Sequence, residues 1–528
     1  MLTHKYPLLP VKASLLLMAG LMGAPMLAGS NSPAEDLRQA QQLIQQGDLS
    51  AAHDRLAQAL KQFPNEFNLY NFLGVVEAQQ GNYLAAESSF QKAIALAPRV
   101  VAAYLNLGRL YQENRANDPK APQRGLDTYQ RLLRFQPNNA EANYQSAVLL
   151  QRFERFKESL QHLSRLPAEA QQRAQVLALR LAAEVRLGET TEVEQRLREL
   201  TSASDLQESD VLAILPVLGA QGSPDLRQKL LEGLSSRGLA SSVTLRQLGL
   251  LYEERNQLDV ARQTLEQSAA NGATLSALLI DLARVAHKQR DHQGALSYLA
   301  HARDLDPKDA GIHFFFGMVC IDAELPLEAH KSLQEAVRLQ PDRAYYQYAL
   351  GWLLLQGRHP SLAIAPFQHY CQLKPEDVRG RFSLGAAHFY SNDFKQARQE
   401  LEAVAGRPET AAGAHYFLAR VAKQEDNLAE ALEHLRQSLN ANPNHAESHA
   451  ELGLIYLRKK EYERAEKALR TALEIDPESF LANLNLFNLF QRTKDPRAQE
   501  QGLRFEAIQK KKSERQQTLL RTIEVRPY

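Results

Sequence analysis

Apolar residues recur along most of this chain at spacings of three and four, the mark of amphipathic helices, and the segments that carry them come in pairs. Leu452, Ile455 and Tyr456 show the spacing within one such segment. Turn residues such as Gly81-Asn82 and Asp426-Asn427 separate the two members of a pair, and a proline then stops the second member. The prolines act as a ruler. Pro64 and Pro98, Pro307 and Pro341, Pro341 and Pro375, and Pro443 and Pro477 each stand 34 residues apart, and Pro137 to Pro307 spans five such periods. The interval from Pro98 to Pro137 is 39 residues, and the polar stretch Asn114 to Pro122 reads as the loop that absorbs the excess.

Within each period the same small and large residues return. Residues 67–98 carry Tyr70, Leu73-Gly74, Gly81-Asn82-Tyr83, Ala86, Phe90, Ala93 and Pro98. In-phase matches follow at Tyr104 with Leu107-Gly108, at Leu248-Gly249 with Ala261, at Leu350-Gly351 with Ala363, and at Leu452-Gly453 with Ala465. This pattern resembles the tetratricopeptide-repeat (TPR) family. The resemblance implies an all-α fold, a right-handed superhelical solenoid of about fourteen 34-residue helix–turn–helix units. Counted from the period, units begin at Pro33, Phe67, Val101, Ala140, Ala174, Glu208, Ser242, Ser276, Ala310, Ala344, Val378, Ala412, Ala446 and Phe480. The glycine of the first helix and the early alanine of the second mark the place where the two helices cross.

The units are not equally regular. Those from Ala174 and Glu208 keep the length and lose the signature, and Pro216 is expected to kink or shorten its helix. Residues 33–207 therefore read as an N-terminal array, 208–241 as a degenerate unit that bends the chain, and 242–513 as a C-terminal array. Phe487 and Gln499 stand at the two small-residue places of the last unit, which marks it as a cap. Residues 514–528 form a basic tail; from 504 to 526 there are seven Lys or Arg against three Glu.

The first thirty residues are of another kind. Lys5 and Lys12 precede an apolar run from Ala13 to Met22, and Ala28, Gly29 and Ser30 follow. This order reads as a secretory signal peptide over residues 1–30, with an uncleaved membrane anchor as the rival reading. No later stretch is long and apolar enough to span a bilayer. Sixty-two basic residues nearly cancel 61 acidic ones, so the net charge of +1 gives no general attraction to nucleic acid. Cys320 and Cys371 are too few for a disulfide framework.

No phosphate loop, nucleophile elbow or HExxH motif is present, and the reading is of a non-enzyme without cofactor or metal. His445 and His449 stand four apart, but His449 occupies the large-residue place filled elsewhere by Tyr70 and Tyr104. The resemblance places the binding groove on the first helices, around the Leu-Gly pair. Four successive units are aromatic there: Phe314, Phe315 and Met318; Tyr348 and Trp352; Phe382, Phe389 and Tyr390; and Tyr416 and Phe417. Large rigid side chains of this kind are typical binding anchors. The carboxylate clamp of chaperone-binding TPR proteins is incomplete around Asn71, Asn106 and Arg109, because Val75 and Leu105 stand where polar residues belong.

The expected function is a periplasmic or cell-surface scaffold holding a protein or peptide partner. The alternative is a non-catalytic subunit of an envelope machine for polysaccharide export or pilus assembly. Cleavage near Gly29 or Ser30 is expected in the native host. N-terminal sequencing of the purified protein checks it, and an intact Met1 on soluble cytoplasmic protein overturns it.

Overall fold

The structure is a computed structural model and describes residues 32–113, 118–218, 224–272 and 275–521. Residues 1–30, where a signal peptide is expected, and the end of the basic tail lie outside the described residues. By internal contacts the chain divides into Met1–Arg255 with Ala270–Gly272, and Asn256–Ala269 with Ala273–Tyr528. Both units are built of helical hairpins.

The described residues contain 29 helices, two for each of fourteen repeats plus the single turn Ala168–Gln171. The first helix of each repeat begins where the 34-residue ruler places it, with one difference. The helix Ala411–Gln424 starts one residue early, because Pro408 stands one residue ahead of the ruler's place. The helix Glu208–Leu218 continues past Pro216 to the end of its described segment.

Three local devices recur among the hairpins. The first is the close approach of its two helices. A Cβ at Gly351 would lie 2.9 Å from the ring of Phe367, and one at Gly453 would lie 2.5 Å from Leu469. Both partners are fully buried, so the glycine is the socket for a large residue of the second helix. In the last repeat the arrangement is exchanged. Phe487 sits on the first helix, and a Cβ at Gly502 of the second would meet its ring at 3.0 Å.

The second device is the turn between the helices. The fifteenth residue of the repeat is left-handed wherever it is described. It is glycine at 47, 81 and 188 but Glu154, Asn256, Arg290, Glu324, Arg358, Asn392, Asp426, Lys460 and Lys494 elsewhere, with φ between 55° and 63°. The hydrogen bonds explain why. The Glu324 N–H donates to the Ile321 carbonyl (3.0 Å) and the Leu325 N–H to the Cys320 carbonyl (2.8 Å), satisfying carbonyls at the helix end.

The third device joins one repeat to the next. In six repeats the side chain at the fourth place of the first helix reaches back six residues to the proline carbonyl. Tyr104 donates to Pro98 (3.1 Å), Asn143 to Pro137 (2.9 Å), Gln347 to Pro341 (2.9 Å) and Asn483 to Pro477 (3.2 Å). His313 and His449 do the same through Nε2 to Pro307 and Pro443, both at 2.9 Å. A carbonyl only accepts, so in both rings Nε2 carries the proton. His445 caps its helix instead, accepting from the Ser448 N–H at 3.3 Å. The two histidines that stand four apart thus have separate structural roles.

Leucine at Gly351 or Gly453 is expected to force the helices apart and cost roughly 1–3 kcal/mol, as overpacking does. Alanine at Gly406, where a Cβ meets nothing within 4 Å, is expected to leave stability nearly unchanged. Urea melts of the three variants measure this, and equal losses would refute the socket.

Candidate partner-binding surface

The aromatic residues of the four repeats from Ala310 to Ala411 do not all face outward. Phe314 stacks on Tyr346 at 4.6 Å, and Phe315 meets His287 edge-on at 5.9 Å. Met318 packs on the core that contains Leu350 and Phe367. Tyr348 lies against Phe367 and Tyr370, with ring centroids 5.7 and 5.0 Å away, and its hydroxyl accepts from Ser383 at 3.4 Å. Phe382 fills the space over Gly413, where a Cβ would meet its ring at 2.8 Å. The Tyr348 ring packs within its own hairpin, and Phe314, Phe315 and Phe382 bind one repeat to the next.

Phe389 is a core residue, only 4% exposed, packed with Phe394 and Phe417. Its neighbour Tyr390 is 48% exposed, and Trp352 on the preceding first helix is 40% exposed. Adjacent helical residues point about 100° apart, so one of such a pair can be buried while the other faces water. Two exposed anchors therefore stand where a continuous aromatic strip is expected from the sequence.

Beside them is a cluster that the aromatic pattern alone does not announce. Phe389, Tyr390, Tyr416 and Phe417 surround the guanidinium of Arg420, at 4.4, 5.5, 5.5 and 5.8 Å from the ring centroids. Arg420 Nη1 donates to the Tyr390 hydroxyl at 3.3 Å. Burial opposes its charge, and the Tyr416 and Tyr390 hydroxyls together with the Glu451 carboxylate more than offset that cost. Burial pushes the Tyr416 hydroxyl itself up to about 12. One turn further on, the Lys423 ammonium pairs with the Glu451 carboxylate of the next first helix, their side chains 12% and 2% exposed.

A tetratricopeptide-repeat profile matches residues 37–100, 79–118, 321–378, 382–439 and 418–480. The chain is a tetratricopeptide-repeat protein. No curated protein sequence matches it. Among solved structures it is similar to YrrB, described as a TPR protein with an unusual peptide-binding site, at 23% identity over 35% of this chain and 97% of that one (TM-score 0.33). It is also similar to PilF of Pseudomonas aeruginosa, at 21% identity over 39% and 94% of the two chains (TM-score 0.33). The Cut9–Hcn1 structure matches 87% of this chain and 96% of its own at 15% identity (TM-score 0.36).

In this TPR protein the polar residues at the places of the carboxylate clamp are engaged within the chain. Asn106 Nδ2 donates to Asn71 Oδ1 at 3.1 Å with both side chains buried, and Arg109 lies 3.5 Å from Glu141. Among the described residues no group of three or more His, Cys, Asp or Glu is placed to hold a metal ion. The sequence reading missed Arg420, Lys423 and Glu451. The available signal was local: Arg420 stands four residues after Tyr416 and three after Phe417, on the same helical face.

The helix that carries Arg420 also carries His415, which stacks on His434 with Nδ1 atoms 3.1 Å apart. Burial and then the neighbouring His434 lower the His415 value from 6.5, and burial lowers that of His445. A histidine whose folded value is depressed binds protons more readily when unfolded. Its stabilising contribution is present above about pH 6.5 and is lost as pH falls below it. Stability is therefore expected to decrease from pH 7 to pH 5, and His415→Asn to reduce that slope. Urea melts at both pH values check it; an unchanged slope would refute the assignment.

Proposed function

We propose that this TPR protein is an exported scaffold, and that the first helices of the repeats from Ala344 to Ala411 hold an extended segment or helix of a partner protein. The reading rests on one observation. Trp352 and Tyr390 remain exposed on neighbouring first helices while most of the aromatic residues around them are used in packing. An exposed tryptophan and tyrosine with fixed surroundings offer large contact area at little conformational cost. Export follows from Lys5, Lys12 and the apolar run to Met22. Among the described residues no helix is long and apolar enough to cross a membrane.

Truncating the two anchors should separate binding from folding. Trp352→Ala and Tyr390→Ala are each expected to weaken a partner captured from envelope extract by about thirtyfold, the equivalent of ~2 kcal/mol. The circular dichroism of both should match that of the parent, and so should the melt of Trp352→Ala, whereas Tyr390→Ala also loses its contacts to Arg420 and Phe417. Phe389→Ala, at a core position, should instead lower stability by about 3–5 kcal/mol. Unchanged capture by both anchor variants would place the binding surface elsewhere.

A further inference from the structure

Ten of the nineteen arginines whose side chains are described in the second unit pair with carboxylates, and most of the other nine are exposed. Arg262 pairs with Asp291, Arg381 with Glu400, Arg398 with Glu425 and Glu430, and Arg497 with Glu466. Of the two that are half-buried, Arg303 lies over one ring, of Phe316, and Arg420 among four. The hydrogen bond of Arg420 goes to a tyrosine hydroxyl, and no carboxylate among the described residues forms an ion pair with it. The nearest acidic group on the adjoining helix, Glu451, is already neutralised by Lys423.

A guanidinium has five N–H donors in one plane, and aromatic faces hold that plane without using the donors. Partial burial strengthens any ion pair made there, because the dielectric around it is low. The cost of desolvating the cation is already met in the folded chain. What the surroundings lack is one negative charge with two acceptor atoms in a plane. A carboxylate supplies both in the fork-to-fork arrangement.

We infer that Arg420, framed by Phe389, Tyr390, Tyr416 and Phe417, is the receptor for a single carboxylate side chain of a partner segment, flanked in that segment by apolar residues. The charge balance favours this occupant over a phosphorylated one. With Lys423 and Glu451 cancelling, the local excess is a single positive charge. The rings leave an apolar frame that suits the leucine or phenylalanine neighbours of a lone acidic residue. This inference rests on the groove reading above and adds the chemistry that the groove selects.

The test uses the full chain and fluorescein-labelled, terminally blocked peptides of the form Ala-Leu-X-Phe-Leu-Ala, with X as Glu, Gln or phosphoserine. Anisotropy is expected to show the Glu peptide binding about tenfold or more tighter than the Gln peptide, and that preference should shrink in high salt. Arg420→Gln should erase the preference. Arg420→Lys, which keeps the charge and loses the planar fork, should retain part of it. Tyr390→Phe provides a second perturbation of the guanidinium should Arg420→Gln fail to fold, and it should reduce the preference by weakening the orientation of Arg420. No preference for Glu over Gln in the parent, or a preference that survives Arg420→Gln, overturns the inference. Tighter binding of the phosphoserine peptide also overturns it and makes this a phosphate site. If every peptide binds alike and Trp352→Ala abolishes all of it, the groove reading stands while this one falls. If no peptide binds the parent, both fall.

Discussion

A two-helix hairpin leaves one apolar face in water until another hairpin covers it, and everything else in this structure follows from that deficit. The covering surface has to be the same in each repeat for the array to continue. This accounts for the socket at Gly351 and Gly453, where any side chain would widen the hairpin that the next repeat must fit. It also accounts for the aromatic residues that proved to be packing groups. Phe382 over Gly413 and Phe314 on Tyr346 each cover one repeat with the next. What stacking leaves over is free to face solvent, as Trp352 does.

The fold was legible in the sequence because stacking writes itself into a period. Proline, glycine and alanine at fixed intervals report the turn, the crossing and the helix stop, and repetition turns weak local signals into a strong one. The start of each first helix could be counted from prolines alone, and the single discrepancy, at Ala411, is itself marked by a displaced Pro408. The left-handed turn residue was less legible. Glycine marks it at 47, 81 and 188, whereas charged or amide residues hold it at nine other places, where the demands of the helix end override local preference.

The candidate surface was legible only as a bias. Four aromatic repeats stand out in the sequence, but Phe389 and Tyr390 adjoin in the chain and differ in fate, because helical phase sends one to the core. Arg109 and Arg284 stand in phase with Arg420, so an arginine at that place does not draw attention by itself. The significance of Arg420 comes from four rings on two helices meeting around it, a tertiary fact. The Lys423–Glu451 pair likewise joins residues 28 apart, a separation that matches no helical spacing.

The bond from the fourth side chain to the proline carbonyl bears on how such a chain can drift. Tyrosine, asparagine, glutamine and histidine all make it, over the same six-residue reach. Where the bond is made it needs only a donor at a certain distance and is indifferent to the chemistry that carries it, and Ala414, six residues after Pro408, does without it. A substitution among these types in one repeat leaves its neighbours nothing to compensate. Copies that began alike can diverge one at a time while the stacking between them is kept, and the freed positions become available for recognition. A surface that differs from repeat to repeat, aromatic in one and charged in the next, is what such independent drift leaves behind.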